Sequence, residues 1–139
     1  MFNVGLLLFI PYRELEERVL AAVTAAGFHD LTLAQARVFQ RIAAEGSRIT
    51  DLAASTHVTK QTASSLVRAL ETTGFVERVP DPADARATLV RVAERGAAAV
   101  EVAAREIRQI EDEWRGRIGA RRYERLKRDL DALSRVSPD

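Results

Sequence analysis

The sequence predicts a mostly α-helical chain with one small β-hairpin. Three observations predict it. Both ends carry apolar residues at helical steps of three and four. The middle holds three short helical segments, each opened by a capping threonine. A single pair of alternating segments flanks a Pro-Asp-Pro link.

The first helix is read from the apolar start Met1–Ile10 through Arg13-Glu14-Leu15-Glu16-Glu17-Arg18 to about Ala25, with Gly27 as its stop. Leu8, Tyr12, Leu15, Val19 and Val23 recur on one face, and a face that apolar needs a partner. Pro11 is expected to kink this helix or to mark its true start. Met1–Ile10 lacks a basic n-region and a cleavage site, and it is shorter than the roughly 20 apolar residues a membrane span needs. A cytoplasmic protein without membrane contact is expected.

Thr32 and Gln35 form a T-x-x-Q capping box, opening a helix read through Val38, Phe39 and Ile42 to Gly46. A shorter helix follows over Ile49–Ser55 with Thr50 as N-cap. After Thr56-His57-Val58, Thr59 caps a helix from Lys60 to Gly74. Two helices joined by so tight a turn make a helix-turn-helix. The last helix turns Ala63, Leu66, Val67 and Leu70 inward. Its outer side carries Lys60, Gln61, Thr62, Ser64, Ser65 and Arg68, with no acid before Glu71. An exposed helix built only for solvent mixes Glu with Lys. A face without acids does not repel phosphate, and its Gln, Lys, Arg, Ser and Thr match base edges.

Phe75-Val76-Glu77-Arg78-Val79 and Thr88-Leu89-Val90-Arg91-Val92 alternate and read as two strands. The link Pro80–Arg86 reads as a turn-rich loop with Arg86 near its tip, suited to a narrow minor groove. Asp84 is expected to hold the Arg86 guanidinium by a charge-assisted hydrogen bond. Beyond Gly96 the chain reads as helical. Val100, Ala104, Ile107, Ile110, Trp114 and Ile118 form one stripe, broken at Gly119 and resumed by Tyr123, Leu126, Leu130 and Leu133. The basic run Arg121, Arg122, Arg125, Lys127 and Arg128 is mixed with Glu124, Asp129 and Asp131, which favours a solvated or interface face.

The expected architecture is therefore a winged helix-turn-helix with N- and C-terminal dimerisation helices. Its parts are a dimerisation helix over 1–30, a DNA-binding lobe over 31–96 and dimerisation helices over 97–139. The terminal blocks carry more apolar surface than so small a lobe can cover, which predicts a homodimer with twofold symmetry. Such a dimer sets two recognition helices roughly 34 Å apart on double-stranded DNA.

Charge and composition narrow the function. The 139 residues carry 21 basic and 20 acidic side chains, net +1, so nucleic-acid binding must come from a local patch. Residues 1–36 hold two basic and four acidic side chains, and residues 37–96 nine and seven. Cysteine is absent, which removes disulfides, Cys-ligated metals and thiol redox sensing. His29 and His57 stand in no ligand spacing, and no cofactor or metal is implied. No nucleophile triad, phosphate loop or metalloprotease motif occurs, so an enzyme is not expected. The expected base or phosphate contacts are Thr59, Lys60, Gln61, Thr62, Ser64 and Ser65. Arg68, Arg78 and Arg86, with Asp84 behind Arg86, are assigned to backbone or minor-groove contacts. The alternative in a different class is a winged-helix protein–protein module without DNA binding.

Ile49-Thr50-Asp51-Leu52-Ala53, Val58-Thr59-Lys60-Gln61 and Leu66–Arg78 resemble, in order and spacing, the winged helix-turn-helix of the MarR family. Asp81-Pro82-Ala83-Asp84-Ala85-Arg86 resembles its D-x-R wing signature, and Glu94-Arg95-Gly96 the end of its L-T-x-x-G motif. Val92-Ala93 replaces the usual Leu-Thr, and Ser65 stands where a basic residue is common. The resemblance implies a homodimeric transcription regulator, usually a repressor, with the helix from Lys60 in the major groove and Arg86 in the minor groove. It also implies release by a small aromatic effector. Tyr12, His29 and Phe39 lie in segments that converge near the junction of terminal helices and lobe; packing roles are favoured for all three.

Overall fold

The computed structural model describes residues 1–135. Eight elements follow one another: α1 (Val4–Ala25), α2 (Leu33–Phe39), α3 (Ile49–Thr56), α4 (Lys60–Thr72), β1 (Val76–Asp81), β2 (Asp84–Val92), α5 (Glu94–Ile118) and α6 (Ala120–Ser134).

α1 begins where Asn3 accepts a hydrogen bond from the Leu6 amide at 3.1 Å. Pro11 lies inside it, so the proline neither starts nor ends the helix. Its missing N–H leaves the Leu7 carbonyl without its usual partner, on a stretch that is exposed anyway. The expected capping box is formed at α2: Thr32 Oγ1 accepts from Gln35 N, and Gln35 Oε1 accepts from Thr32 N, both at 3.2 Å. α2 ends at Phe39, however, well short of Gly46. Turn bonds replace helix there: Arg41 N donates to Val38 O, Ile42 N to Phe39 O and Gly46 N to Ala43 O. The Ser47 hydroxyl accepts from Ala43 N at 2.9 Å and fixes this turn. The N-cap of α3 is Arg48 rather than Thr50, which stands exposed in the first turn.

The strands are longer than the alternation alone indicates, and the loop between them is only Pro82-Ala83. They pair antiparallel, Val76 opposite Val92 and Val79 opposite Leu89, with an irregularity at Pro80/Asp81. Asp81 Oδ1 accepts from Ala83 N at 2.9 Å, and the proline presets its own φ, which closes the turn in two residues. Ser47 forms an isolated bridge to Val90 on the other edge of β2. Gly46, at φ 105°, makes that approach feasible, since a Cβ there would sit 3.0 Å from Leu89 Cβ.

The core lies in the lobe. Val38, Leu52, Ala63, Val67, Leu70, Phe75 and Val90 are fully buried. Phe75 meets Phe39 edge-on, with ring centroids 6.1 Å apart. α5 starts at Glu94 and so crosses the boundary expected at residue 96. A Cβ on Gly96 would collide with the Phe75 carbonyl and crowd the Phe39 ring at 3.0 Å. Only glycine lets α5 leave the wing this close to β1. Among the described residues no helix is long and apolar enough to cross a membrane.

Candidate nucleic-acid interface

The helix-turn-helix is α3 and α4. Its turn depends on His57, the one non-glycine residue with positive φ among those described, at φ 58° and ψ 42°. Val58 N reaches back to Ala53 O at 3.1 Å and closes α3. Thr59 then caps α4: its hydroxyl accepts from Thr62 N at 3.1 Å and donates to Thr62 Oγ1 at 2.9 Å. Ala63, Val67 and Leu70 seat α4 on the core, Ala63 allowing close approach.

The opposite face of α4 presents Lys60, Gln61, Thr62, Ser65 and Arg68, all exposed; Ser64 is half-buried. The first turn contains no acid. Gln61, Ser65 and Arg68 fall at i, i+4 and i+7 and form one stripe. The N-terminus of α4 also carries the positive end of the helix dipole, which favours phosphate. Lys60, Arg68 and Arg86 make no ion pair among the described residues, so their full donor capacity faces outward.

The remaining predicted residues are placed less freely. Arg78 Nε donates to Glu71 at 3.1 Å, so a phosphate must compete with that carboxylate. Asp84 does not grip the Arg86 guanidinium. Its Oδ1 accepts from the Arg86 backbone N–H at 3.0 Å, forming an Asx turn that orders the backbone and leaves the side chain loose. Arg86 is the third residue of β2, close to the two-residue tip.

Two ion pairs that sequence reading missed hold this face in place. Arg48, the N-cap of α3, donates through Nε and Nη2 to Asp81 Oδ2 at 3.0 and 2.6 Å and ties the helix-turn-helix to the wing base. Asp81 is buried, and the Ala83 amide and Arg48 together hold its carboxyl below the usual range. Arg37 on α2 donates to both oxygens of Glu16 on α1, at 2.7 and 2.9 Å. Glu16 also accepts from Tyr12 Oη at 2.9 Å. Its carboxyl is held low chiefly by Arg37, against its burial. The Asp81-Pro82 turn was a visible cue for the first pair; both pairs span 21 residues or more, beyond any local pattern.

Tyr12, His29 and Phe39 do not converge. Phe39 lines a cavity of about 520 Å³ between α1, α2 and α5, with Val19, Leu31, Ile42, Ala103 and Ile107. Tyr12 lines a separate apolar groove of about 730 Å³ between the front of α1 and the α5–α6 corner, with Leu8, Trp114, Ile118 and Leu126. His29 is exposed in the turn after α1. No cluster of His, Asp and Glu among the described residues fits a metal ion.

Residues 29–87 match the model of the MarR family. The match takes in the helix-turn-helix and most of the wing, 59 of the 139 residues, so this segment is similar to the MarR family. The fold is a winged helix, and the solved structures it is similar to are transcription regulators. A crystal structure of MarR is 26% identical, with TM-score 0.73 over 96% of this chain and 98% of that one. The transcriptional repressor CouR, bound to a 23-mer DNA duplex, is 23% identical, with TM-score 0.71 over 96% and 93%. MepR of S. aureus bound to ethidium bromide is 21% identical, with TM-score 0.63 over 95% and 94%. No curated protein sequence matches the chain.

Proposed function

We propose that this chain is a MarR-family regulator that acts in the cytoplasm as a homodimeric repressor on a near-palindromic operator, released by a small aromatic ligand. The observation that carries the reading is the acid-free outer face of α4, where Gln61, Ser65 and Arg68 stand exposed beside the unpaired Arg86 of the wing. α4 lies in the major groove, Gln61, Ser64 and Ser65 meet base edges, and Thr59, Lys60, Thr62, Arg68 and Arg78 meet phosphates or bases. Arg86 enters the minor groove, set by the Asx turn at Asp84. CouR on its duplex supports the same mode for this chain.

The dimer is supported by the front of α1. Phe2, Val4, Leu6, Leu7, Leu8, Phe9 and Ile10 are all exposed, and Leu7, Leu8 and Phe9 line the groove that Trp114 and Leu126 complete. Apolar surface so continuous marks an interface; a second copy of the same helices covers it. The cavity above α2 is the place for an effector, and MepR with ethidium supports a planar aromatic occupant. An occupant there presses on α2, which packs against α4.

Selection of duplexes from a random pool, with light scattering on the same sample, tests the reading. An inverted repeat with half-sites about 10 bp apart is expected, from a particle of twice 15.4 kDa. Salt-independent, sequence-blind behaviour of a dimer would replace this reading with a protein–protein module.

A further inference from the structure

Arg95 stands in the first turn of α5, and three separate elements end against it. Its Nη1 donates to the Thr73 carbonyl at 2.7 Å and to Asp30 Oδ2 at 2.9 Å; its Nη2 donates to Asp30 Oδ1 at 2.8 Å. Thr73 is the C-cap of α4, so the guanidinium neutralises the negative end of that helix. Asp30 belongs to the link between α1 and α2. The flat of the guanidinium covers the Phe75 ring, Cζ to centroid 4.3 Å, and lies 5.6 Å from the Phe28 centroid. Phe28 follows α1, and Phe75 opens the wing.

One side chain at the start of α5 thus contacts the link that leaves α1, the end of α4 and the root of the wing. The bidentate pair, the helix cap and the ring stack together require a planar fork; lysine supplies the charge alone. We infer that Arg95 is a positioning residue that sets the angle of α4 to α1 and α5, and thereby the half-site spacing the dimer accepts. It touches no DNA. This rests on the dimeric DNA-binding reading for its second half only.

The chain has no cysteine, so labels can be placed cleanly. Nitroxides at Ser65→Cys on α4 and Glu101→Cys on α5, in labelled protein diluted with unlabelled, report the angle within one chain and without DNA. Arg95→Gln should widen or shift that distance distribution by a few Å, about a twofold increase in width, with Arg95→Lys in between. An unchanged distribution in folded Arg95→Gln overturns the inference. Operators with one base pair added or removed between half-sites turn one site by roughly a tenth of a DNA turn. Wild type should discriminate between them about tenfold, and Arg95→Gln within about twofold. Equal weakening on all spacings overturns the spacing half and leaves a purely structural Arg95. If wild type binds no duplex, the functional reading fails, while the label distance still decides whether Arg95 sets the helix angle. If Arg95→Gln does not melt cooperatively, Arg95→Lys and Asp30→Asn carry the same comparison.

Discussion

The lobe and the front of α1 are both rich in large apolar side chains, yet they use them in opposite ways. In the lobe Leu52, Val67, Leu70 and Phe75 are 0–1% exposed. In α1 Phe9 is 54% exposed and Ile10 47%. The lobe is a finished core, with α2 and α4 capped and its wing pinned by Arg48–Asp81. The arm leaves its apolar side chains uncovered, and in the proposed dimer a second copy completes that core. On that reading phenylalanine reports folding in one region and association in the other.

The sharpest way to break that contrast is to make one substitution in both places. Phe75→Ala should cost about 3–5 kcal/mol, because it opens a cavity among Phe39, Phe28 and the Arg95 guanidinium. Denaturant unfolding should show the loss at every protein concentration. Phe9→Glu should leave a folded monomer. Its expected cost, about 2–3 kcal/mol, lies in the dimer constant, a shift of some 30- to 150-fold. Sedimentation over a dilution series reads it. A dimer untouched by Phe9→Glu would mean that the arm covers nothing.

The lobe was legible because its signals are local. Thr32-x-x-Gln35 and Thr59 are caps within one helical turn, and the two alternating segments pair as their spacing suggests. Legibility fails where a long-range contact decides. Gln40–Gly46 reads as helix until the Ser47 bridge to Val90 claims the backbone. Arg95 and Gly96 read as a motif whose reason, contact with Phe75, is visible only in three dimensions. The reading face was legible residue by residue. Its constraints were less so: Glu71 holding Arg78 depends on how wing and helix lie together, and Asp84 takes the Arg86 amide in a local turn rather than its guanidinium.

The free arginines sharpen the contrast within the lobe itself. Arg86→Ala should weaken operator binding about tenfold and lower the salt slope by about one, with no change in melting. Arg48→Ala, which cuts the wing from α3, should lower both affinity and melting temperature. If Arg86→Ala instead lowers stability, Arg86 serves the fold and not the DNA.

The smallest expected effect lies at the seam between the two regions. Glu16 of α1 is buried, and the Arg37 guanidinium of α2 holds its carboxyl below the ordinary 4.5. A carboxylate with a lowered folded pKa adds stability that is complete above its unfolded value and fades as pH falls through the folded one. Acid should therefore loosen α1 from the lobe, starting just below pH 4.5. Glu16→Gln removes that share of the acid slope and keeps the shape and the bond from Tyr12. Glu113, paired with Arg18 between α1 and α5, is lowered as well, but it is exposed and its pair lies wholly within the two terminal helices. Glu113→Gln should thus alter the acid slope of the arm without touching its seam to the lobe. Protection of the α2 amides from hydrogen exchange, taken relative to the intrinsic rate at each pH and followed from about pH 6 to about pH 3, separates the two. Lower α2 protection on acidification in wild type and in Glu113→Gln, but not in Glu16→Gln, is the expected outcome. An equal response in all three would mean that the seam is held by the apolar contacts of Val19, Val23 and Leu31 and not by the ion pair.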